Sequence, residues 1–314
     1  MSATDGYKLF TPLTLGEGLT LKNRIVMAPM ARGRSDPLFH MGRQGHSSFG
    51  DHVAPSAIAM PRNGVIKNSK GETLPVNGMT KNIKGEAVPY ETPRALRTDD
   101  IAGIVEDFRK SAELAKAAGF DGVEFHGANG YLIDQFLQSV SNTRTDQYGG
   151  SFENRARFLL EIIDAVKTVY PADRIAVRLS PNSPFAGVGS TDNAEMYTYL
   201  FEKLSMHGLA YLALLDGYGF GYHDVCRLLT VFDAKKHFKG TVLANNSYTR
   251  NIAEGAVRSG AADFVAFGRP YISNPDLAER FEQDVPLNPD APYTAYWDPS
   301  LGPVGYIDFP VYKA

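Results

Sequence analysis

Cysteine is almost missing from this chain, with Cys226 the single one in 314 residues. That excludes an intramolecular disulfide, a cysteine-ligated iron–sulfur cluster and a Cys-rich zinc site. It suits a reducing compartment. No run of about 18 apolar residues occurs, so no segment reads as a membrane span. Met1–Gly6 is polar and lacks the apolar stretch of a signal peptide, and the closing Val311-Tyr312-Lys313-Ala314 matches no address signal. A soluble cytoplasmic protein, monomeric or homodimeric, is therefore expected. Basic blocks are also absent. The chain carries 32 Lys and Arg against 35 Asp and Glu, a formal net charge of −3, so nucleic acid is not expected as a partner.

What is present is an ordinary globular composition, 43% hydrophobic and 21% charged. Its second half alternates in a regular way. Apolar runs at Gly122–His126, Ile175–Ser180, Ala210–Leu215, Thr241–Asn245 and Asp263–Gly268 read as strands, with one more at Arg24–Ala28. Continuous runs of this kind fit parallel strands buried on both faces. Amphipathic stretches separate them. One opens at Asp99-Asp100 and closes at Gly119; the others run roughly Phe152–Val169, Thr191–His207, His223–His237, Thr249–Ser259 and Pro275–Glu282. Strand–helix alternation predicts a parallel α/β sheet with right-handed crossovers.

A closed barrel of this kind needs eight βα units, and the sequence shows six strands. The chain is expected to form one domain over residues 1–314. Residues 38–97 are read as a long loop and hairpin region over the active site, with a hairpin within Val65–Val76.

Three segments carry chemistry. Phe125-His126-Gly127-Ala128-Asn129-Gly130-Tyr131-Leu132 sits where an apolar strand ends, the position that points into a barrel's active-site mouth. His126 and Asn129 can hydrogen-bond a substrate oxygen that gains negative charge. Tyr131 can donate a proton. A plain alternative is a strand end whose His and Asn satisfy backbone groups; the flanking glycines weigh against it, because they let a ligand approach the backbone. Arg178 lies inside an apolar strand, where an unpaired guanidinium is costly, so it needs an anionic or polar partner. That partner is either a structural carboxylate or an electron-poor ring that becomes anionic. Finally, Asn245-Asn246-Ser247 and Gly268-Arg269-Pro270 end the last two strands, where barrels commonly bind phosphate, and Arg269 adds a cation. The loop Asn142–Ser151 reads as a lid or as a helix entry with Ser151 as N-cap.

With these residues in view, the chain resembles the Old Yellow Enzyme family of FMN-dependent ene-reductases. The resemblance is carried by Leu9–Leu13, Leu21–Met30, His40-Met41-Gly42-Arg43, His126–Tyr131, Asn142–Arg155, Phe267–Pro270 and Gly305–Pro310. It implies a TIM (β/α)8-type barrel that holds FMN, takes electrons from NAD(P)H and reduces the C=C bond of an α,β-unsaturated carbonyl compound. By the same resemblance His126 and Asn129 hold the substrate carbonyl and Tyr131 protonates the α-carbon. Arg178 lies by the flavin pyrimidine, Asn245, Ser247, Gly268 and Arg269 belong to the cofactor site, and Pro29 and Met30 border the isoalloxazine. Ala31 stands where the family usually has Thr or Cys against the flavin.

The chain departs from the family pattern after Pro37. Family members carry the second strand, its helix and most of the third strand there, about two βα units. The strand-borne Gln of that stretch is absent, and Phe39 replaces the customary Trp before His40. The fold expected is thus a barrel lacking its second strand and most of its third. A rival reading is a non-catalytic truncated isoform or remnant that binds flavin weakly or not at all. The single Cys226 disfavours the iron–sulfur relatives; a flavin-assisted isomerase using the same site stays open.

Overall fold

The computed structural model describes residues 3–30, 51–60, 65–67, 73–75, 79–81, 84, 86–216 and 221–313. The chain opens with an antiparallel hairpin, β1 (Leu13–Gly16) and β2 (Leu19–Leu21), followed by β3 (Ile25–Met27). Short strands come next: β4 (Val53–Ala54), β5 (Val65–Lys67), β6 (Thr73–Pro75), β7 (Met79–Lys81), β8 (Ala87–Pro89) and β9 (Arg94–Ala95). β5 pairs with β6 and β7 with β8, both antiparallel, while β4 pairs in parallel with β9. Regular alternation then begins with α1 (Thr98–Ala117), β10 (Val123–Gly127), α2 (Leu132–Leu137), α3 (Phe152–Val166), β11 (Ile175–Leu179) and α4 (Asn193–Ser205). It continues with β12 (Tyr211–Leu215), α5 (Val231–His237), β13 (Val242–Asn245), α6 (Arg250–Ser259), β14 (Phe264–Phe267), α7 (Arg269–Ser273), α8 (Leu277–Gln283) and α9 (Tyr293–Trp297).

Six strands form one parallel sheet in the order β10-β11-β12-β13-β14-β3. The early strand β3 thus joins at the far end, beside β14, as it would in a closing barrel. Among the described residues no strand pairs with the outer edge of β10 or of β3. The six strands expected from the sequence are all present, and the fold is an incomplete (β/α)8-type barrel with its gap between β3 and β10.

Side-chain alternation divides the sheet into two cores. One face sends Phe125, Val177, Leu212, Leu214, Val242, Ala244, Val265 and Phe267 outward against the helices. The other sends Ala213, Leu243, Phe264, Ala266 and Ala28 inward, with Val26 and Tyr211 beside them. Leu13, Leu15 and Leu21 of the β1–β2 hairpin pack on this inner cluster and plug the barrel at its N-terminal end. With that end filled, inward side chains near the strands' C-terminal ends are left to form the floor of the mouth.

Local signals explain most boundaries. Ser151 accepts the Asn154 N–H at 3.2 Å and caps α3, as its position before Phe152 predicted. Gly119 takes φ +88° just beyond α1. The helix expected over His223–His237 is shorter, because α5 starts only at Val231. The stretch before it is held by other bonds. His223 donates its N–H to the Asn182 carbonyl at 3.1 Å, and Asn182 bonds both the N–H and the C=O of Leu229. Likewise the single helix expected over Pro275–Glu282 is preceded by a separate short helix, α7, starting at Arg269. No described helix is long and apolar enough to cross a membrane.

The inner end of α2 is fixed by aromatic packing. Phe136 and Phe158 are fully buried, with ring centroids 4.4 Å apart. Phe158→Ala should destabilise the fold by about 3–5 kcal/mol. The expected signature is a lower urea midpoint with the slope unchanged.

Candidate active site

β10 and β11 run in parallel with His126 directly opposite Arg178. By alternation Glu124 and His126 share the inward face of β10. Beyond β10 the chain reverses tightly. Asn129 takes φ 57° and Gly130 φ 70°, two left-handed residues in succession. The reversal makes Tyr131 the N-cap residue of α2 and brings its ring back to His126, with centroids 4.7 Å apart and planes tilted by 46°. The Gly127–Gly130 spacing in the sequence is therefore a turn that returns a phenol to an imidazole.

The two rings are held in defined protonation states. Dehydration by the surrounding protein, and then the Arg178 cation, lower the His126 pKa from 6.5 to about 4. The residue stays open toward the mouth. His126 is thus a neutral imidazole near pH 7 that a ligand can still reach. Burial raises the Tyr131 phenol, as does the nearby Tyr90, so Tyr131 keeps its proton at neutral pH.

Arg178 is 4% exposed at its side chain and has found its anion within the fold. Its Nε donates to Glu124 Oε1 at 2.6 Å and Nη2 to Glu124 Oε2 at 3.4 Å. Nη1 donates to Asn245 Oδ1 at 2.9 Å. Tyr211 hydrogen-bonds Glu124 from below, and burial together with that carboxylate raises its phenol. Asn245 in turn donates from Nδ2 to the Ala266 carbonyl at 2.7 Å. Of the two partners considered for Arg178, a carboxylate is thus present, and two of the five guanidinium N–H groups are not taken up by these three bonds.

At the ends of β13 and β14 the backbone is unusual. Asn246 has φ 106° and Ser247 φ 58°, left-handed without the help of glycine. Asn246 Nδ2 donates to the Asp216 carbonyl at 2.7 Å, and the Tyr248 hydroxyl donates to Asp216 Oδ2 at 2.8 Å. Gly268 lies so close to Met30 that an added Cβ would stand 3.2 Å from its sulfur. Arg269, the first residue of α7, is exposed, as is Pro29. Met30 packs against Ile272, Ala291 and Ala295. Ala31, His40 and the Ser35–Phe39 junction lie outside the described residues.

The structure therefore brings His126, Tyr131 and Arg178 together and joins Arg178 to Asn245. It sets Gly268 beside Met30 at the other side of the mouth. Sequence reasoning misses Glu124, Tyr211 and Asp216. A signal for Glu124 exists: it is an acid two residues before His126, on the same face of a neighbouring strand, where Arg178 demands an anion.

A barrel mouth with a neutral imidazole, a protonated phenol and a cation at one end, and a left-handed backbone turn at the other, suits a small organic ligand. Similarity to known proteins points the same way. Residues 58–288 match the model of the NADH:flavin oxidoreductase / NADH oxidase family. Putative 12-oxophytodienoate reductase 5 of Oryza sativa subsp. japonica is 43% identical over 229 residues, 70% of this chain and 59% of that protein. The Arabidopsis thaliana 12-oxophytodienoate reductase 2 is 40% identical over 222 residues, again 70% and 59%. The chain thus spans less than two thirds of the length of these relatives. Among solved structures, a morphinone reductase variant in complex with tetrahydroNAD superposes with a TM-score of 0.81 at 34% identity, covering 97% of this chain and 98% of that one. The old yellow enzyme homologue from Zymomonas mobilis gives 0.86 at 30%, covering 97% and 100%. The chain belongs to the NADH:flavin oxidoreductase / NADH oxidase family, the Old Yellow Enzyme family to which its motifs pointed.

Two measurements check this electrostatic picture. The unfolded imidazole takes its proton near 6.5 and the folded one only near 4, so this group costs stability as pH falls between those values and costs nothing above them. In NMR the His126 ring should titrate near 4, and His126→Gln should shrink the acid-side loss. Glu124→Leu should leave Arg178 without its anion and cost about 3–5 kcal/mol, and the double change with Arg178→Met should recover most of it; denaturant midpoints of the three variants decide.

Proposed function

We propose that this chain is an FMN-dependent NAD(P)H oxidoreductase that reduces the C=C bond of α,β-unsaturated carbonyl compounds. The observation that carries the reading is the ring pair at the end of β10: a neutral His126 and a proton-bearing Tyr131, 4.7 Å apart, flanking the Asn129 turn. The reductase names of the relatives, and the tetrahydroNAD held by one structural neighbour, support the reductase class and a nicotinamide donor.

The residues fit FMN at three places. The left-handed Asn246–Ser247 backbone suits its phosphate, with Arg269 as a cation nearby. Gly268 keeps a close approach free of a Cβ beside Met30. Arg178, anchored by Glu124 and Asn245, has N–H donors left for the ring's pyrimidine edge. FMN held by these residues would supply the hydride for the alkene's β-carbon after taking it from the nicotinamide.

The chain's own residues do the rest. A neutral imidazole donates one N–H, so His126 can hold the carbonyl oxygen together with the Asn129 amide and stabilise the charge that develops there. Tyr131 holds the proton destined for the α-carbon, and its raised pKa keeps that proton available at neutral pH. The segment around β4, β8 and β9 serves as a cover over the mouth, a placement supported by the influence of Tyr90 on the Tyr131 hydroxyl. The gap between β3 and β10 favours one other reading, a chain of the same ancestry that holds flavin weakly or not at all.

Purified protein given FMN should be yellow, with close to one flavin per chain. A colourless protein that cannot be reconstituted would overturn the enzyme reading. Tyr131→Phe should abolish reduction of an enone such as cyclohexenone while nicotinamide still reduces the flavin. Unchanged enone turnover would remove Tyr131 as donor.

A further inference from the structure

The turn that carries Asn129 and Tyr131 is left-handed at two successive residues. Asn and Gly adopt that shape at little cost, and what remains is to fix the turn against its neighbours. Three side chains do so. Asp134, fully buried on α2, accepts the Gly130 N–H at Oδ2 over 2.7 Å. Gln135 donates from Nε2 to the Gly130 carbonyl at 2.6 Å. Ser180, fully buried beyond the end of β11, accepts the Asn129 N–H at 2.7 Å. The turn is therefore tied both to its own helix and to the neighbouring strand.

Asp134 is in turn held from behind. Its Oδ1 accepts from Gln138 Nε2 at 3.0 Å and from the Tyr197 hydroxyl of α4. Gln138 Oε1 accepts the Gly189 N–H at 2.7 Å and the Asn193 amide at 3.1 Å, which joins the loop after β11 to the same network. The two carboxylate oxygens thus divide their partners. One faces the turn, and the other faces α2 and α4.

We propose that Asp134 and Ser180 are positioning residues for the substrate end of the site, fixing where the Asn129 amide and the Tyr131 hydroxyl stand relative to His126. Neither touches the reacting atoms. Both act through the backbone of a turn whose side chains do. The proposal rests on the ene-reductase reading above, and it predicts which half of the reaction suffers. Hydride transfer from nicotinamide needs no proton donor on the turn; alkene reduction needs the turn in register.

The decisive experiment compares Ser180→Ala and Asp134→Asn with the parent in stopped flow, following flavin reduction by nicotinamide and its reoxidation by cyclohexenone separately. An Asn at 134 has one acceptor oxygen in place of two, so either Gly130 or the Gln138–Tyr197 pair loses its partner. Displacing a positioned group by about an ångström costs on the order of 100-fold. The expected result is enone-dependent reoxidation slowed by about tenfold to 100-fold in both variants, with flavin reduction within about twofold of the parent. Reoxidation at the parental rate in both would overturn the proposal, as would an equal loss in both half-reactions. If Asp134→Asn fails to fold, Ser180→Ala alone carries the comparison, because it removes a single hydroxyl.

Amide hydrogen exchange supplies a readout independent of flavin. In the flavin-free protein, exchange at Asn129 should quicken in Ser180→Ala and at Gly130 in Asp134→Asn; unchanged exchange at both overturns the proposal. A parent that binds no flavin defeats the functional reading while leaving this exchange test to judge the turn.

Discussion

A carboxylate and a guanidinium facing each other across two neighbouring strands organise the mouth of this barrel. Glu124 on β10 grips Arg178 on β11, Arg178 reaches Asn245 on β13, and Asn245 reaches the backbone of β14. The path skips β12, where Ala213 stands opposite Arg178 in register and is small enough to let the guanidinium cross. One chain of polar contacts therefore ties the edge strand β10 to the far side of the sheet. In a closed barrel that tie would merely add to the hydrogen-bond ladder. Here β10 has no described neighbour on its outer side, so the ladder holds it from one side only and the interior pair contributes a larger share of what fixes it.

The same pair sets the electrostatics above it. Glu124 balances Arg178 and leaves the floor of the mouth polar without a bare cation. His126, opposite Arg178 in register, is kept neutral first by its burial, and the guanidinium adds to that. The plug of leucines from the N-terminal hairpin keeps the lower half of the interior apolar. Polar function is thereby confined to one layer, at the C-terminal ends of the strands, where the helical connections begin.

Much of this is legible in the sequence, for physical reasons that differ by element. Parallel strands covered on both faces are apolar over most of their length, so the six sheet strands stand out as runs. His126, Asn129 and Tyr131 are visible because strand end, glycines and polar residues fall together within a few positions. The β1–β2 hairpin escapes notice although Leu13-Thr14-Leu15 and Leu19-Thr20-Leu21 alternate around Gly16-Glu17-Gly18; each arm is too short to announce itself. Residues 223–230 carry a helix-like pattern that tertiary bonds from Asn182 override. The partner of Arg178 is hidden because it lies 54 positions away, and only sheet register brings the two together.

The loop after β13 holds a left-handed backbone with Asn246 and Ser247, where glycine would adopt the same shape freely. Side-chain-bearing residues sample fewer conformations when the chain is unfolded, so the shape is settled during folding. A cofactor phosphate bound there, as proposed, would meet a backbone whose shape is already set and would have little disorder to remove. Its affinity there would then be governed more by how fast the anion leaves than by how long the loop takes to find its form.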